Sequence, residues 1–370
     1  MRLFHSQIGR DSVWRVLRWF FFQWDAERAH LFTLFMIRWV DRLIGHSPLR
    51  FVSGTQKEEE RPEERQEFFQ AFGMEFHSRV GLAAGFDKNG EILTALPALG
   101  FGFAEIGTVT PRPQPGNPCP RLFRDPQRRA LFNRMGFNSW GAQQVSHEIA
   151  LRRGLLPKNF RVGINLGKNK DTPLEEAWRD YVSAARYFEG LADYLVVNIS
   201  SPNTPGLRSL QTVETIRPIL MALQDLISGW KRRLPLLVKL APELCGEKLT
   251  DLVAQVDLWG VNGWVLTNTL GGQLNHQGRV LDGGWSGGPL SVSAQKSLYE
   301  VRQVTHHPIV SVGGILSCEE GVKRILGGAD LLQIYTGWIY QGPQFPARLN
   351  RRICELPNRC PGVSQDALIS

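Results

Sequence analysis

Residues 194 to 206 read YLVVNISSPNTPG. The run opens as a short apolar strand and turns polar at Asn198, where asparagines and serines lead into two prolines. A buried core would not choose those side chains, so the strand delivers chemistry to a rim. Seven other segments share its form: RVGLAAGF (79–86), FAEIGTVT (103–110), RVGINLGK (161–168), LPLLVKLA (234–241), GWVLTNTL (263–270), HPIVSVGG (307–314) and LLQIYTGW (331–338). Between them lie stretches with apolar residues at helical spacing, among them EILTALPALG (91–100), LEEAWRDYVSAARYFEGL (174–191) and VETIRPILMALQDLISGW (213–230). Eight strands alternating with helices predict an α/β fold of the (β/α)8 TIM-barrel type.

A chain of 370 residues, 42% hydrophobic and 21% charged, buries a large core and lacks the polar bias of a disordered protein. The domain reading is a helical N-terminal unit at 1–50, a linker and lead-in at 51–76, and the barrel at 77–370. SVWRVLRWFFFQW (12–24) and AERAHLFTLFMIRWVDRLI (26–44) predict two helices, the second capped by Asp25. On the second, Leu31, Phe32, Leu34, Phe35, Met36, Trp39, Val40 and Leu43 form an apolar face wide enough to need a partner, while Arg38, Asp41 and Arg42 gather opposite. SGTQKEEERPEERQE (53–67) has no large apolar residue, as a linker or exposed helix has none.

The formal net charge of +8 draws nucleic acid, an anionic membrane or an anionic small molecule alike. Cys119, Cys245, Cys318, Cys354 and Cys360 show no CxxC and no zinc spacing, so they read as free thiols in a reducing compartment, and no metal is expected. No signal-peptide pattern opens the chain, and no uncharged run reaches the roughly 18 to 20 residues of a spanning helix.

In such a barrel, chemistry sits at the C-terminal ends of the strands. There the sequence places Asp87 and Lys88, Thr108, Asn165, Asn198 and Ser201, Lys239, Thr267 and Asn268, Gly313 and Gly314, Tyr335 and Thr336. Singly, each has an ordinary explanation as a turn, cap or solvated residue; together, on one rim, they form a site. The glycines of VGGI (312–315), with IYTG (334–337), follow strands 7 and 8, where barrels hold phosphate. Lys239, late in an apolar strand, must emerge at the rim or be paired. The excursion GTVTPRPQPGNPCPRLFRDPQRRALFNRMGFNS (107–139) is too long to be idle.

The motifs LAAGFDKNGE, EIGTVTPRPQPGNPCPRLFR, NRMGFNS, GINLGKNKDTP, NISSPNTPGLR, VKLAPEL, TNT, WSGGPL, SVGGI and QIYTGWIYQGP, in this order between residues 79 and 343, closely resemble the dihydroorotate dehydrogenases. FQWDAERAH followed by an apolar helix resembles the extension of their class 2, the quinone-linked, membrane-associated branch. Class 1 members carry a cysteine where this chain has Ser201.

The resemblance implies FMN held by Ala84, Gly85, Phe86, Asp87, Lys88, Thr108, Asn165, Asn198, Lys239, Thr267, Gly287, Gly314, Tyr335 and Thr336. It implies dihydroorotate or orotate held by Lys88, Asn133, Arg134, Met135, Gly136, Phe137, Asn198, Asn203, Asn268 and Thr269. Ser201 would transfer the C5 proton, Thr204 and Phe137 would line its exit, and Lys239 would stabilise charge on the flavin. A membrane quinone would be the final acceptor, reached through the N-terminal helices lying in the interface at the cytoplasmic side of a bacterial inner membrane. Trp285 stands where a smaller aliphatic residue is usual, and the tail after Pro346 carries no readable motif. Two other classes compete. An RNA-modifying flavin barrel fits the net charge, but such enzymes use a catalytic cysteine and append a C-terminal RNA-binding domain, for which the roughly 25 residues after the last strand-end motif are expected to be too few. A non-catalytic membrane-surface barrel fits the helices but not the polar strand ends.

Overall fold

The computed structural model describes residues 14–55 and 68–356, so most of the predicted linker and the last part of the tail lie outside the described residues. Eight parallel strands close into a barrel: β1 Val80–Leu82, β2 Phe103–Val109, β3 Arg161–Leu166, β4 Tyr194–Asn198, β5 Leu236–Leu240, β6 Gly263–Leu266, β7 Ile309–Val312 and β8 Leu331–Ile334. They are hydrogen-bonded in sequence order, and β8 returns to β1. All eight segments named from the sequence are therefore strands of one barrel.

Alternation along each strand sorts the barrel interior into levels. Phe103, Tyr194, Val196, Leu237, Val265, Val310 and Leu331 form a lower apolar cluster. Two residues further along their strands stand Glu105, Asn198, Lys239 and Gln333, all buried and polar. The cluster is closed from below by a hairpin, Phe69–Ala71 paired with Met74–Phe76, whose Phe76 meets Phe103 edge-on at 5.5 Å. Its short strands fell inside the stretch assigned to the lead-in.

Two segments differ from expectation. EILTALPALG forms two short 3-10 turns, Leu93–Ala95 and Pro97–Leu99, because Pro97 interrupts the backbone ladder and Gly100 turns left-handed at φ 91°. The long excursion after β2 contributes Leu122–Asp125 and Ala130–Asn133, which join the hairpin Leu270–His276 and Arg279–Gly287 in a four-stranded antiparallel sheet. This sheet roofs the barrel mouth. Trp285 belongs to its small core, packed on Phe132 at 4.9 Å and covered by the Arg128 guanidinium at 4.0 Å, so the larger side chain is accommodated in the roof.

The N-terminal residues fold as α1 (14–22), α2 Ala26–Leu43 and α3 His46–Ser53, so the helical unit runs a few residues past position 50. Asp25 caps α2 by accepting the Arg28 backbone N–H at 2.9 Å. On its inward side α2 turns Ala26, Ala29, Leu34 and Ile37 to the barrel together with two charged residues: Arg38 pairs with Glu91, and Asp41 accepts from Thr94 and from His46 of α3. The wide apolar face therefore stays largely uncovered, with Leu31, Phe35 and Leu43 each more than half exposed and only Leu34 of that face buried. Among the described residues no helix is long and apolar enough to cross a membrane.

Phe76→Ala is expected to lower stability by roughly 3 to 5 kcal/mol, because it empties the plug of a close-packed cluster. The midpoint of denaturant unfolding measures this; an unchanged midpoint would mean that the hairpin is not part of the barrel core.

Candidate active site at the barrel mouth

The polar level of the interior is one hydrogen-bonded set. The fully buried carboxylate of Glu105 accepts from Lys239 Nζ at 3.1 Å, Asn165 Nδ2 at 2.6 Å and Gln333 Nε2 at 2.7 Å. Since the Asn165 amide points its nitrogen at Glu105, its oxygen faces up and accepts from Thr108 Oγ1 at 2.5 Å and Asn198 Nδ2 at 3.0 Å. The Asn198 oxygen in turn accepts from Asn268 Nδ2 at 3.1 Å and Ser200 Oγ at 3.1 Å. A carboxylate that can only accept thus sets the direction of successive amides.

Above this set lies a cavity between the barrel and its roof. Of the residues singled out from the sequence, Ala84, Gly85, Lys88, Thr108, Asn133, Met135, Gly136, Phe137, Asn198, Ser201, Asn203, Lys239, Thr267, Asn268, Thr269, Gly287, Gly314, Tyr335 and Thr336 line it.

Phe86, Asp87, Asn165, Arg134 and Thr204 do not line this cavity. Phe86 packs on His30 and Trp338 beneath the N-terminal helices. The buried Asp87 carboxylate accepts the backbone N–H groups of Glu91 and Ile92, fixing the loop that carries Lys88, and burial pushes its pKa up to about 6. Asn165 acts one level down, through Thr108 and Asn198. The Arg134 backbone N–H bonds to the Arg121 carbonyl at 2.9 Å, and Thr204 lines a separate outer cleft that also touches Ser201. Sequence reasoning missed Glu105, Gln333, Asn138 and Ser286. A glutamate inside the otherwise apolar FAEIGTVT was the one legible sign among them.

The residues fit a flat, phosphorylated cofactor. Gly313 and Gly314 both take left-handed backbone, at φ 106° and 73°, and a Cβ on either would run into Leu290 or Ser291, so the cavity wall here is main chain, as an anion cradle requires. Their loop is held by the buried Arg324, which donates to the carbonyls of Gly313 at 3.1 Å and Ser291 at 2.8 Å. Opposite, the hydroxyls of Ser286 and Thr336 meet at 2.8 Å. A Cβ built on Gly85 would stand in the cavity with only the Tyr335 ring near it, at 3.6 Å, which is room for a ring system. On the roof side, Asn203 Nδ2 donates to Asn133 Oδ1 at 2.8 Å, while the buried Asn203 Oδ1 has no protein partner and awaits a donor such as a ring N–H.

A second, mainly apolar cavity lies between the three N-terminal helices and the barrel. Both cavities are lined by Leu122, Leu131 and Tyr335, so they adjoin at that point. His30 stands at this junction, parallel to the Tyr335 ring at 6.4 Å, and burial with the nearby Lys88 charge holds its pKa at about 4. Close by, Arg121 pairs with Glu27 of α2 at 2.8 Å.

A barrel mouth with a glycine-rich anion cradle, a buried lysine and an array of amides defines a (β/α)8 oxidoreductase of the flavin type. The family model for dihydroorotate dehydrogenase matches residues 69–356. The "dihydroorotate dehydrogenase (quinone)" of Thermobifida fusca is 44% identical over 349 residues, covering 90% of each chain. That of Alkalilimnicola ehrlichii is 43% identical, over 90% of this chain and 96% of its own. Among solved structures, the ligand-free DHODH of Eimeria tenella superposes with a TM-score of 0.72 at 34% identity, over 85% of this chain and 94% of that one. This chain belongs to the dihydroorotate dehydrogenase family, and its relatives place it in the quinone-linked class.

Lys88 donates to Asn138 Oδ1 at 2.6 Å, and burial, helped by the Arg121 charge, pushes its pKa down to about 7. A bound carboxylate favours the ammonium and raises that value, so binding takes up a proton. If Lys88 holds the substrate carboxylate, orotate affinity is expected to be full below pH 7 and to fall about tenfold per pH unit above it, until the bound-state pKa is passed. Calorimetric titrations in buffers of different ionisation heat check this, and Lys88→Met removes the pH dependence together with most of the affinity.

Proposed function

We infer that this chain oxidises (S)-dihydroorotate to orotate at the barrel mouth and delivers the electrons to a membrane quinone, as a step of de novo UMP synthesis. The observation that carries the reading is the junction at Tyr335. There a polar cavity suited to a pyrimidine carboxylate adjoins an apolar cavity suited to a quinone, with the cofactor position between them.

FMN bound in the cradle supplies the two-electron acceptor for the hydride that leaves C6 of the substrate. The residues do the rest. Lys88 holds the substrate carboxylate, and the amides of Asn133, Asn198, Asn203 and Asn268 match the donors and acceptors of the pyrimidine ring. Ser201 accepts the proton from C5 as the C5–C6 double bond forms. A serine hydroxyl is a weak base, so it passes its own proton outward in the same step. Ser201 is placed for that relay, since it touches the inner cavity on one side and the outer cleft with Thr204 on the other. Lys239, paired with Glu105 at 3.1 Å, is the residue that would stabilise negative charge developing on the flavin.

The uncovered apolar face of α1 and α2, where Trp19, Leu31 and Phe35 project, supports a peripheral position in the bilayer interface. In that position the apolar cavity opens toward lipid, and the cytoplasmic side of a bacterial inner membrane is the location we assign.

Dihydroorotate added without oxygen is expected to bleach the yellow of the purified protein, and a quinone to restore it; no bleaching would defeat the reading. Ser201→Ala is expected to slow the bleaching about 10² to 10⁴-fold with flavin retained. The double variant Trp19→Glu with Phe35→Glu, altered only at exposed positions, is expected to bleach normally yet sediment apart from membranes. Undiminished membrane recovery would remove the interfacial role of the helices.

A further inference from the structure

Two residues of the quoted motifs have no part in the chemistry above: Arg208, at the end of NISSPNTPGLR, and Glu243, in VKLAPEL. The Arg208 guanidinium donates from Nε to the Ser200 carbonyl at 3.0 Å and from Nη2 to the Thr269 carbonyl at 2.9 Å. Its Nη1 meets Glu243 Oε1 at 2.9 Å, and the same carboxylate oxygen accepts the backbone N–H of Gly271. One side chain thus ties together the loops that follow β4, β5 and β6. A Cβ at Gly271 would stand 2.9 Å from both Arg208 Nη1 and Glu243 Oε1, so glycine at this position lets the hairpin close on the pair.

The pair is poorly suited to a merely stabilising role. Its side chains are 27% and 38% exposed and Arg208 lines the outer cleft, so solvent screens the ion pair and leaves it little stabilising effect. What it fixes is geometry. Ser200 precedes the proton-transfer residue Ser201, and Thr269 faces the substrate cavity. We propose that Arg208, oriented by Glu243, is a positioning residue that holds Ser201 and the Asn268–Thr269 segment in register with each other across the substrate. The fork of the guanidinium is essential to this: a lysine keeps the charge but has no planar set of donors to span two carbonyls and a carboxylate.

The proposal rests on the reading of Ser201 as the proton acceptor, and its test separates the two. In full-length holoenzyme, Arg208→Lys and Arg208→Ala are expected to slow flavin reduction by dihydroorotate about 100-fold, the usual cost of a misplacement near 1 Å. Reoxidation of the dithionite-reduced protein by a short-tailed quinone should be unchanged, because that half-reaction uses the other cavity. Glu243→Gln, which keeps an accepting oxygen, should lose less. Hydrogen exchange of the Asn203 and Gly271 amides should quicken in Arg208→Ala without any substrate present. Reduction at the wild-type rate in Arg208→Ala, full rescue by Arg208→Lys, or equal loss of both half-reactions would each overturn the proposal. If dihydroorotate fails to reduce even the unaltered protein, the functional reading falls, and the clamp is still judged: unchanged exchange at those amides refutes it.

Discussion

A carboxylate at the centre of the barrel constrains everything above it. Glu105 is fully buried, and a lone buried charge is costly enough that it persists only when paired and fully hydrogen-bonded. Lys239, Asn165 and Gln333 meet that demand from three different strands. Removing one partner of such a pair typically costs roughly 3 to 5 kcal/mol, so the arrangement is held firmly. The return on that cost is orientation: the amides of Asn165 and Asn198 have one allowed direction each, and the cavity floor presents a fixed pattern of donors and acceptors.

Above the floor, the roof sheet and the N-terminal helices divide the mouth into two compartments of opposite character. The inner one gathers amides, hydroxyls and a lysine, and the outer one is walled by Phe21, Phe22, Ile37, Leu49 and Trp338. Tyr335 belongs to both, and His30, held neutral by burial, adds no charge at the boundary. A polar substrate and an apolar acceptor then have separate approaches to one cofactor position. The exposed aromatic face of α1 and α2 lies on the same helices that wall the apolar compartment.

The barrel was legible because each strand has the same grammar, an apolar run ending in polar residues or glycine, and that grammar follows from where side chains point in a parallel barrel. The rim residues were legible for the same reason. The roof was not: its two hairpins are each local, but they join where Ala130–Asn133 pairs with the Arg279–Gly287 strand across more than 150 residues of chain, and nothing local marks that meeting. Asp87 and Asn165 also stand at strand ends, where Asp87 fixes the loop that carries Lys88 and Asn165 joins the polar level beneath the cavity. The uncovered face of α2 was legible in its pattern, which is too wide in apolar residues for a helix covered on one side only. Ala26, Ala29, Leu34 and Ile37 face the barrel together with Arg38 and Asp41, and the remaining apolar residues stay outward.

The separation of the two compartments is the claim on which the functional picture turns, and steady-state inhibition by orotate tests it most directly. With two sites, orotate competes with dihydroorotate, and raising the quinone concentration does not relieve the inhibition. Competition of orotate against both substrates would mean that donor and acceptor share one site, and the division at Tyr335 would have no functional meaning.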